Sequence, residues 1–217
     1  ASESNVLLVD AGDVMQGSLY FTLFEGAVEQ RVMNELDYDV QIIGNHEFDN
    51  GMSKLRDYVS GLKSDLISSN YDFTATELNP YFKPYTIKSV GDKRIGFLGV
   101  NIEPQGLIDS VKCAGVKYHD AVKAANSIAW YLKNVEHVDA VVALTHIGYN
   151  DEGDLSDVKL ARETENIDVI IGGHSHTLIN PLAKNARQSR FINRVGDTVL
   201  VAQTGKYGAN VGEVIID

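Results

Sequence analysis

Four of the chain's six histidines, His46, His146, His174 and His176, sit in short polar clusters that follow apolar runs. Their neighbours are small or oxygen-bearing: Gly44-Asn45, Thr145, Gly172-Gly173 and Ser175. A further apolar run ends at Asp10-Ala11-Gly12-Asp13. With Asp13 and Asn45 these histidines form a ligand set of nitrogen and oxygen, free of sulfur. Such a set suits zinc, manganese, iron or cobalt better than magnesium, and far better than calcium. The hexapeptide Gly44-Asn45-His46-Glu47-Phe48-Asp49 adds a second kind of chemistry. His46 and Asp49 lie three residues apart and can hydrogen-bond across a tight turn, which would fix the tautomer and orientation of the ring. His119 and His137, beside a helix start and in a loop, read as ordinary polar residues.

The elements that must position these groups follow from the hydrophobic pattern. Val6–Val9, Val40–Ile43, Leu66–Ser69, Asp139–Leu144 and Val169–Ile171 read as short buried strands, the apolar runs too brief for helices. Gly44 is expected to let the chain leave its strand at a torsion that a larger residue resists. A helical segment is expected from about Ser18 to Leu36, where Leu19, Leu23, Ala27, Val28, Val32 and Leu36 lie near helical spacing. Further helices are expected over Gly51–Lys63 and Leu155–Thr164. Another runs from an Asp120 cap to about Lys133, with Val122, Ala125, Ala129 and Leu132 facing the core. Asp72–Pro84 is polar, holds two prolines and reads as loop. Gly91-Asp92 between Tyr85–Val90 and Arg94–Val100 predicts a hairpin. Two last strands are expected at Thr198–Gln203 and Val211–Ile216. Strands alternating with helices, then hairpins, give an α/β class with an antiparallel complement. In such sheets ligands bind beyond the carboxyl ends of the strands, where every cluster above falls.

Composition sets the outer bounds. At 217 residues and 44% apolar content, one large domain with a full core is expected. A formal net charge of −11 argues against a nucleic-acid polymer or an anionic membrane as the main partner. It leaves room for a small phosphorylated ligand, because a bound metal reverses the local field. Cys113 is the only cysteine, which excludes an internal disulfide and a thiolate metal cluster. No stretch has membrane-spanning length and no signal sequence is visible. Ala1–Asn5 runs almost directly into the first strand, so the chain is expected to begin in mid-domain.

Gly12-Asp13 with Gln16-Gly17, Gly44-Asn45-His46-Glu47, Thr145-His146 and Gly173-His174-Ser175-His176 together resemble the signature of the calcineurin-like metallophosphoesterases. The longer forms Asp10–Asp13 and Gly44–Asp49, with Gln203-Thr204-Gly205-Lys206-Tyr207-Gly208, resemble the 5′-nucleotidase branch. The resemblance implies a four-layer α/β/β/α sandwich of mixed sheets carrying two divalent metal ions, zinc or manganese first, then iron, cobalt or magnesium. It implies that Asp13 bridges the two, that Asn45, His146 and His174 complete one site, and that His176 belongs to the other. His46 would face the phosphate with Asp49 orienting it, and Asp10 would be a structural carboxylate. The implied reaction is in-line attack of a metal-bridging hydroxide on a 5′-nucleotide, releasing nucleoside and phosphate. A periplasmic or extracellular placement is implied by the resemblance alone.

One departure qualifies the pattern. The family opens with an Asp-x-His motif that gives two ligands to the metal shared with His176, and none precedes Asp13 here. The chain is therefore expected to be N-terminally incomplete, with one strong metal site and one weak or empty one. A second, nucleoside-gripping domain is not expected within these residues, and a separate nucleoside-binding domain or protein could supply that role. The same metals and the same His46 would also serve a 2′,3′-cyclic-nucleotide phosphodiesterase or a nucleotide-sugar hydrolase. A binding scaffold built on this fold is the alternative from another class; it gives no reason to keep His46 and Asp49.

Overall fold

The computed structural model describes residues 5–150 and 155–216; Ala1–Ser4, expected to lead straight into the first strand, lies outside them. Strand β1 (Val9–Asp10) precedes helices α1 (Leu19–Phe24) and α2 (Ala27–Glu35). Strand β2 (Val40–Gln41) leads through a 3-10 turn, His46–Phe48, to α3 (Met52–Ser60), and then to β3 (Asp65–Ile67), β4 (Tyr71–Asp72) and β5 (Phe82–Lys83). The hairpin β6 (Tyr85–Val90) and β7 (Lys93–Asn101) follows, then β8 (Lys117–Tyr118), α4 (Ala121–Asn134) and β9 (Ala140–His146). Helix α5 (Asp157–Glu163), β10 (Val169–Gly172), β11 (Arg190–Ile192) and β12 (Thr198–Ala202) complete the described elements.

Two sheets form the middle of the molecule. One is parallel, in the order β1-β2-β3-β5. The other runs β11-β12-β10-β9-β7-β6, parallel except for its two edge strands β6 and β11. Three apolar clusters match the three interfaces of a four-layer sandwich. Phe21 of α1 and Leu55, Tyr58 and Val59 of α3 pack with Ile43 and Leu66 against the outer face of the small sheet. Val40, Ile42 and Ile67 meet Ile95, Phe97, Val142, Leu144 and Val169 between the sheets. Ala125, Ala129 and Leu132 of α4, with Leu160 of α5, cover Leu98, Val141, Ala143, Ile170 and Val201 on the far side. Strand β9 shows why these runs read as continuously apolar. Val141 and Ala143 face the helices while Val142 and Leu144 face the other sheet, so both sides of the strand are dry.

The expected helix over 18–36 is broken in two, and most of the apolar residues at helical spacing point outward. Glu25 and Gly26 take φ values of 52° and 100°, which ends α1 and restarts α2 in a new rotational phase. Phe21 and Met33 turn inward as a result, and Leu19, Leu23, Val32 and Leu36 are exposed. Val6–Val9 contributes only its end to β1, and Val6 is exposed. Val211–Ile216 does not form a strand: its alternating pattern finds no neighbouring strand among the described residues, and only Val214 reaches the core between the sheets. The Asp120 cap is present, with its carboxylate accepting from the Lys123 N–H at 2.9 Å, and Gly91 takes a φ of 60° in the hairpin turn. Among the described residues, no helix is long and apolar enough to cross a membrane.

Candidate metal centre

Strands β1, β2, β9 and β10 end on one edge of the sandwich, and their exit loops converge there. Ligand atoms of Asp13, His146 and His174 all lie within 4.8 Å of one another. Asn45 joins them, with Oδ1 3.0 Å from His174 Nδ1. The His146 ring is buried, and its Nδ1 lies 2.7 Å from the Ala11 carbonyl, so that nitrogen carries the proton. Its Nε2 is left facing Asp13 Oδ2 at 3.0 Å, without hydrogen-bond geometry and with no other hydrogen-bond partner. A buried ring nitrogen with no hydrogen-bond partner, set beside a carboxylate and a second imidazole, is the environment a divalent cation fits. Gly44 keeps this space open: a Cβ there would sit 2.3 Å from Asp13 Oδ1 and 2.7 Å from His146 Nε2. The torsion at Gly44 is not left-handed, so its role is room for the donors and not the strained exit expected from sequence.

The donors are held by an unusual amount of polar structure. Asp13 takes a φ of 61°, and its Oδ1 accepts from the His46 N–H at 2.9 Å. Buried Glu47 accepts from the backbone N–H groups of Asp13 (3.0 Å), Val14 (2.8 Å), Met15 (3.3 Å) and Gly44 (2.5 Å), clamping two loops together. Asn101, at the end of β7, donates to the Ile43 carbonyl and accepts from Ser68 Oγ, joining the two sheets beneath the hexapeptide. Asp10 caps its own turn by accepting from the Gly12 N–H at 2.8 Å and is not among the clustered ligands.

Burial sets the electrostatics of this edge. Desolvation and the nearby Asp13 carboxylate push Glu47 up to about 7, against the pull of His146 and the backbone N–H groups. Burial likewise raises Asp10 to about 6. Burial pushes Asp13 the same way, but His146 and the N–H of His46 outweigh it and hold this carboxyl below its ordinary range. A carboxylate held ionised beside a buried imidazole lets a cation take the place of the proton that the ring would otherwise keep.

His46 and Asp49 form the expected pair. Nδ1 and Oδ2 are 2.8 Å apart across the 3-10 turn, and both side chains are partly exposed to a cleft of about 520 Å³. The cleft is lined by Asp13, Asn45, His46, Asp49, His174 and His176 on one side. Its other wall is Leu107, Ile108, Asp109 and Lys112, and Lys112 Nζ donates to the Asp49 carbonyl at 2.6 Å. His176, at a φ of 54°, lines the cleft but is exposed and stands outside the clustered set, which is the only such group among the described residues. Sequence reasoning missed the second wall entirely. Lys112 is one lysine in a turn, and no periodicity marks it as a neighbour of Asp49.

Known proteins resemble the chain in sequence and in fold. The family model for calcineurin-like phosphoesterases matches residues 1–178. The chain is 30% identical over 227 residues to the 5′-nucleotidase of Homo sapiens, covering 100% of this chain and 38% of that protein. It is 32% identical over 223 residues to a snake venom 5′-nucleotidase from Naja atra, covering 98% of this chain and 41% of the relative. The crystal structure of a 5′-nucleotidase precursor from Thermus thermophilus superposes with a TM-score of 0.82 at 32% identity, over 96% of this chain and 41% of the other. The chain thus spans about two fifths of the length of these relatives. It belongs to the calcineurin-like phosphoesterase family, whose members are metal-dependent hydrolases of phosphate esters.

Proposed function

We propose that this calcineurin-like phosphoesterase hydrolyses 5′-nucleotides to nucleoside and phosphate. The observation that carries the reading is the convergence, on one cleft, of the Asp13–His146–His174 donor group and the His46–Asp49 pair. Asp13, Asn45, His146 and His174 hold one divalent ion, and Asp13 with His176 contributes to a second, weaker site. The nitrogen-rich donor set favours zinc or manganese. When bound, the ions supply the Lewis acidity that grips phosphate oxygens and lowers the pKa of a water molecule toward neutrality.

The chain's own residues supply orientation and protons. Asp49 occupies His46 Nδ1 and leaves Nε2 for the substrate, where it stabilises developing charge or protonates the leaving oxygen. Such a group is worth about 10²–10⁴ in rate. Lys112 holds the Asp49 carbonyl, and with it the turn on which the pair is mounted. The same reading passes the phosphoryl group directly to water, with no covalent intermediate on the chain. Placement in the periplasm or outside the cell belongs to the same proposal, supported by the venom relative.

The organic part of the substrate lies along Leu107 and Ile108, and among the described residues no aromatic side chain lines the cleft to stack a base. Remote binding energy is therefore small in this chain, and with it the discrimination it can drive. Metal-loaded chain should release phosphate from 5′-nucleotides and from p-nitrophenyl phosphate with kcat/KM within about tenfold, roughly 1.4 kcal/mol of discrimination. Release from p-nitrophenyl phosphate with none from any 5′-nucleotide would overturn the nucleotidase reading. A thousandfold preference for one nucleotide would instead show that these residues read the base.

A further inference from the structure

His146 closes strand β9, His174 and His176 stand in the loop after β10, and one buried amide, acting with Asp157, ties strand to loop. Gln203, immediately after β12, is buried, and its side chain uses its full capacity of two donors and two acceptors. Nε2 donates to Asp157 Oδ2 at 2.7 Å and to the Gly173 carbonyl at 3.1 Å. Oε1 accepts from Ser175 Oγ and from the Thr177 N–H, both at 3.2 Å. These contacts bracket His174 and His176, which stand at φ values of 71° and 54°. Asp157 is itself fully buried, and its Oδ1 accepts from Thr145 Oγ1 at 2.6 Å, one residue before His146. Gly172 makes the arrangement possible: a Cβ there would lie 2.0 Å from Asp157 Oδ2 and 2.8 Å from Gln203 Nε2.

We propose that Gln203 and Asp157 are positioning residues that set the mutual geometry of His146, His174 and His176. Neither reaches the cleft; they act through the backbone and hydroxyls beside the three rings. Asp157 anchors the His146 strand through Thr145, and Gln203 carries the same anchor to the 173–177 loop. Left-handed torsions at two non-glycine residues are strained and persist only where surrounding contacts over-determine them. The amide supplies those contacts. The inference rests on the metal-centre reading for its consequence, but the brace itself is a property of the metal-free chain.

The test uses the whole chain and two readouts. In metal-free protein, Gln203→Ala should speed amide hydrogen exchange at Thr177 by about tenfold or more. Asn193→Ala, which removes a buried amide serving the β11–β12 turn, should leave that exchange unchanged. Mn²⁺ titration should then show Gln203→Ala binding about 10–100-fold more weakly than wild type, with Asn193→Ala unaffected. Gln203→Glu sets two carboxylates together and should weaken binding at least as much. Adding Asp157→Asn restores a donor to that contact and should recover most of the loss. Unchanged Thr177 exchange in Gln203→Ala, or equal losses of Mn²⁺ affinity in Gln203→Ala and Asn193→Ala, overturns the proposal. Faster exchange in a chain that takes up no Mn²⁺ supports the brace and overturns the metal reading instead.

Discussion

Replacing Gly44 with Ala tests the donor cradle without removing any donor. The added Cβ would lie 2.3 Å from Asp13 Oδ1 and 2.7 Å from His146 Nε2, both closer than the 3.0 Å below which something must shift. Asp13 must therefore retreat by about 0.7 Å and His146 by about 0.3 Å. Neither can do so freely, since Asp13 is held by the His46 N–H at 2.9 Å and His146 by the Ala11 carbonyl at 2.7 Å. Overpacking of this kind costs about 1–3 kcal/mol of stability. Displaced ligands should weaken the first divalent ion by about 10–100-fold, or roughly 1.4–2.7 kcal/mol. Calorimetric titration with Mn²⁺ measures the affinity, and melting in chelator measures the stability. The two losses should appear together in Gly44→Ala. Binding within about twofold of wild type would show that the ion does not sit between Asp13 and His146, and the assignment of the cradle would fail.

Asp13→Ala should lose more bound metal by elemental analysis than His176→Ala, since Asp13 touches the buried donor set and His176 stands outside it; equal losses would contradict the assignment. Asp65 ties the two sheets by accepting from Lys83 (2.9 Å) and Thr86 (2.8 Å) and pairing with Lys88 at 2.8 Å. Burial raises its carboxyl, but these partners outweigh burial and hold it at about 2 against an ordinary 3.8. A lowered carboxyl stabilises the fold above its ordinary range and loses that contribution as pH falls from about 4 to 2. Discounted for the exposure of the lysines, Asp65→Asn should cost about 1 kcal/mol in denaturant unfolding near neutrality. The gap to wild type should narrow as pH falls toward 3, and a gap that widens there would contradict the sign.

The parts of the site legible in sequence are those written locally. His46 and Asp49 are three residues apart, and the turn that joins them lies within the hexapeptide. The ends of β9 and β10 are visible because both faces of each strand are buried, which leaves the first polar residue as a boundary. The four-layer arrangement comes from motif resemblance, since no strand carries a label for the sheet it joins. What stays hidden depends on distant chain. Glu47 accepts from backbone groups more than thirty residues away, and Gln203 reaches Asp157 and the 173–177 loop from another strand. The α1–α2 face misleads for a local reason: Glu25 and Gly26 break the helical phase, and a leucine pattern counted across that break points outward.

The account's central claim is that His46 acts on the phosphate while Asp13, Asn45, His146 and His174 hold metal. Phosphate release from a 5′-nucleotide by wild type and His46→Ala, compared at measured and equal metal content, tests it most directly. The variant should keep its metal and lose about 10²–10⁴ in kcat, with Asp49→Asn losing less because the ring remains in place. A His46→Ala variant that empties of metal would make His46 a ligand. One that keeps both metal and wild-type turnover would leave the His46–Asp49 pair without a role in the chemistry, and either result contradicts the account.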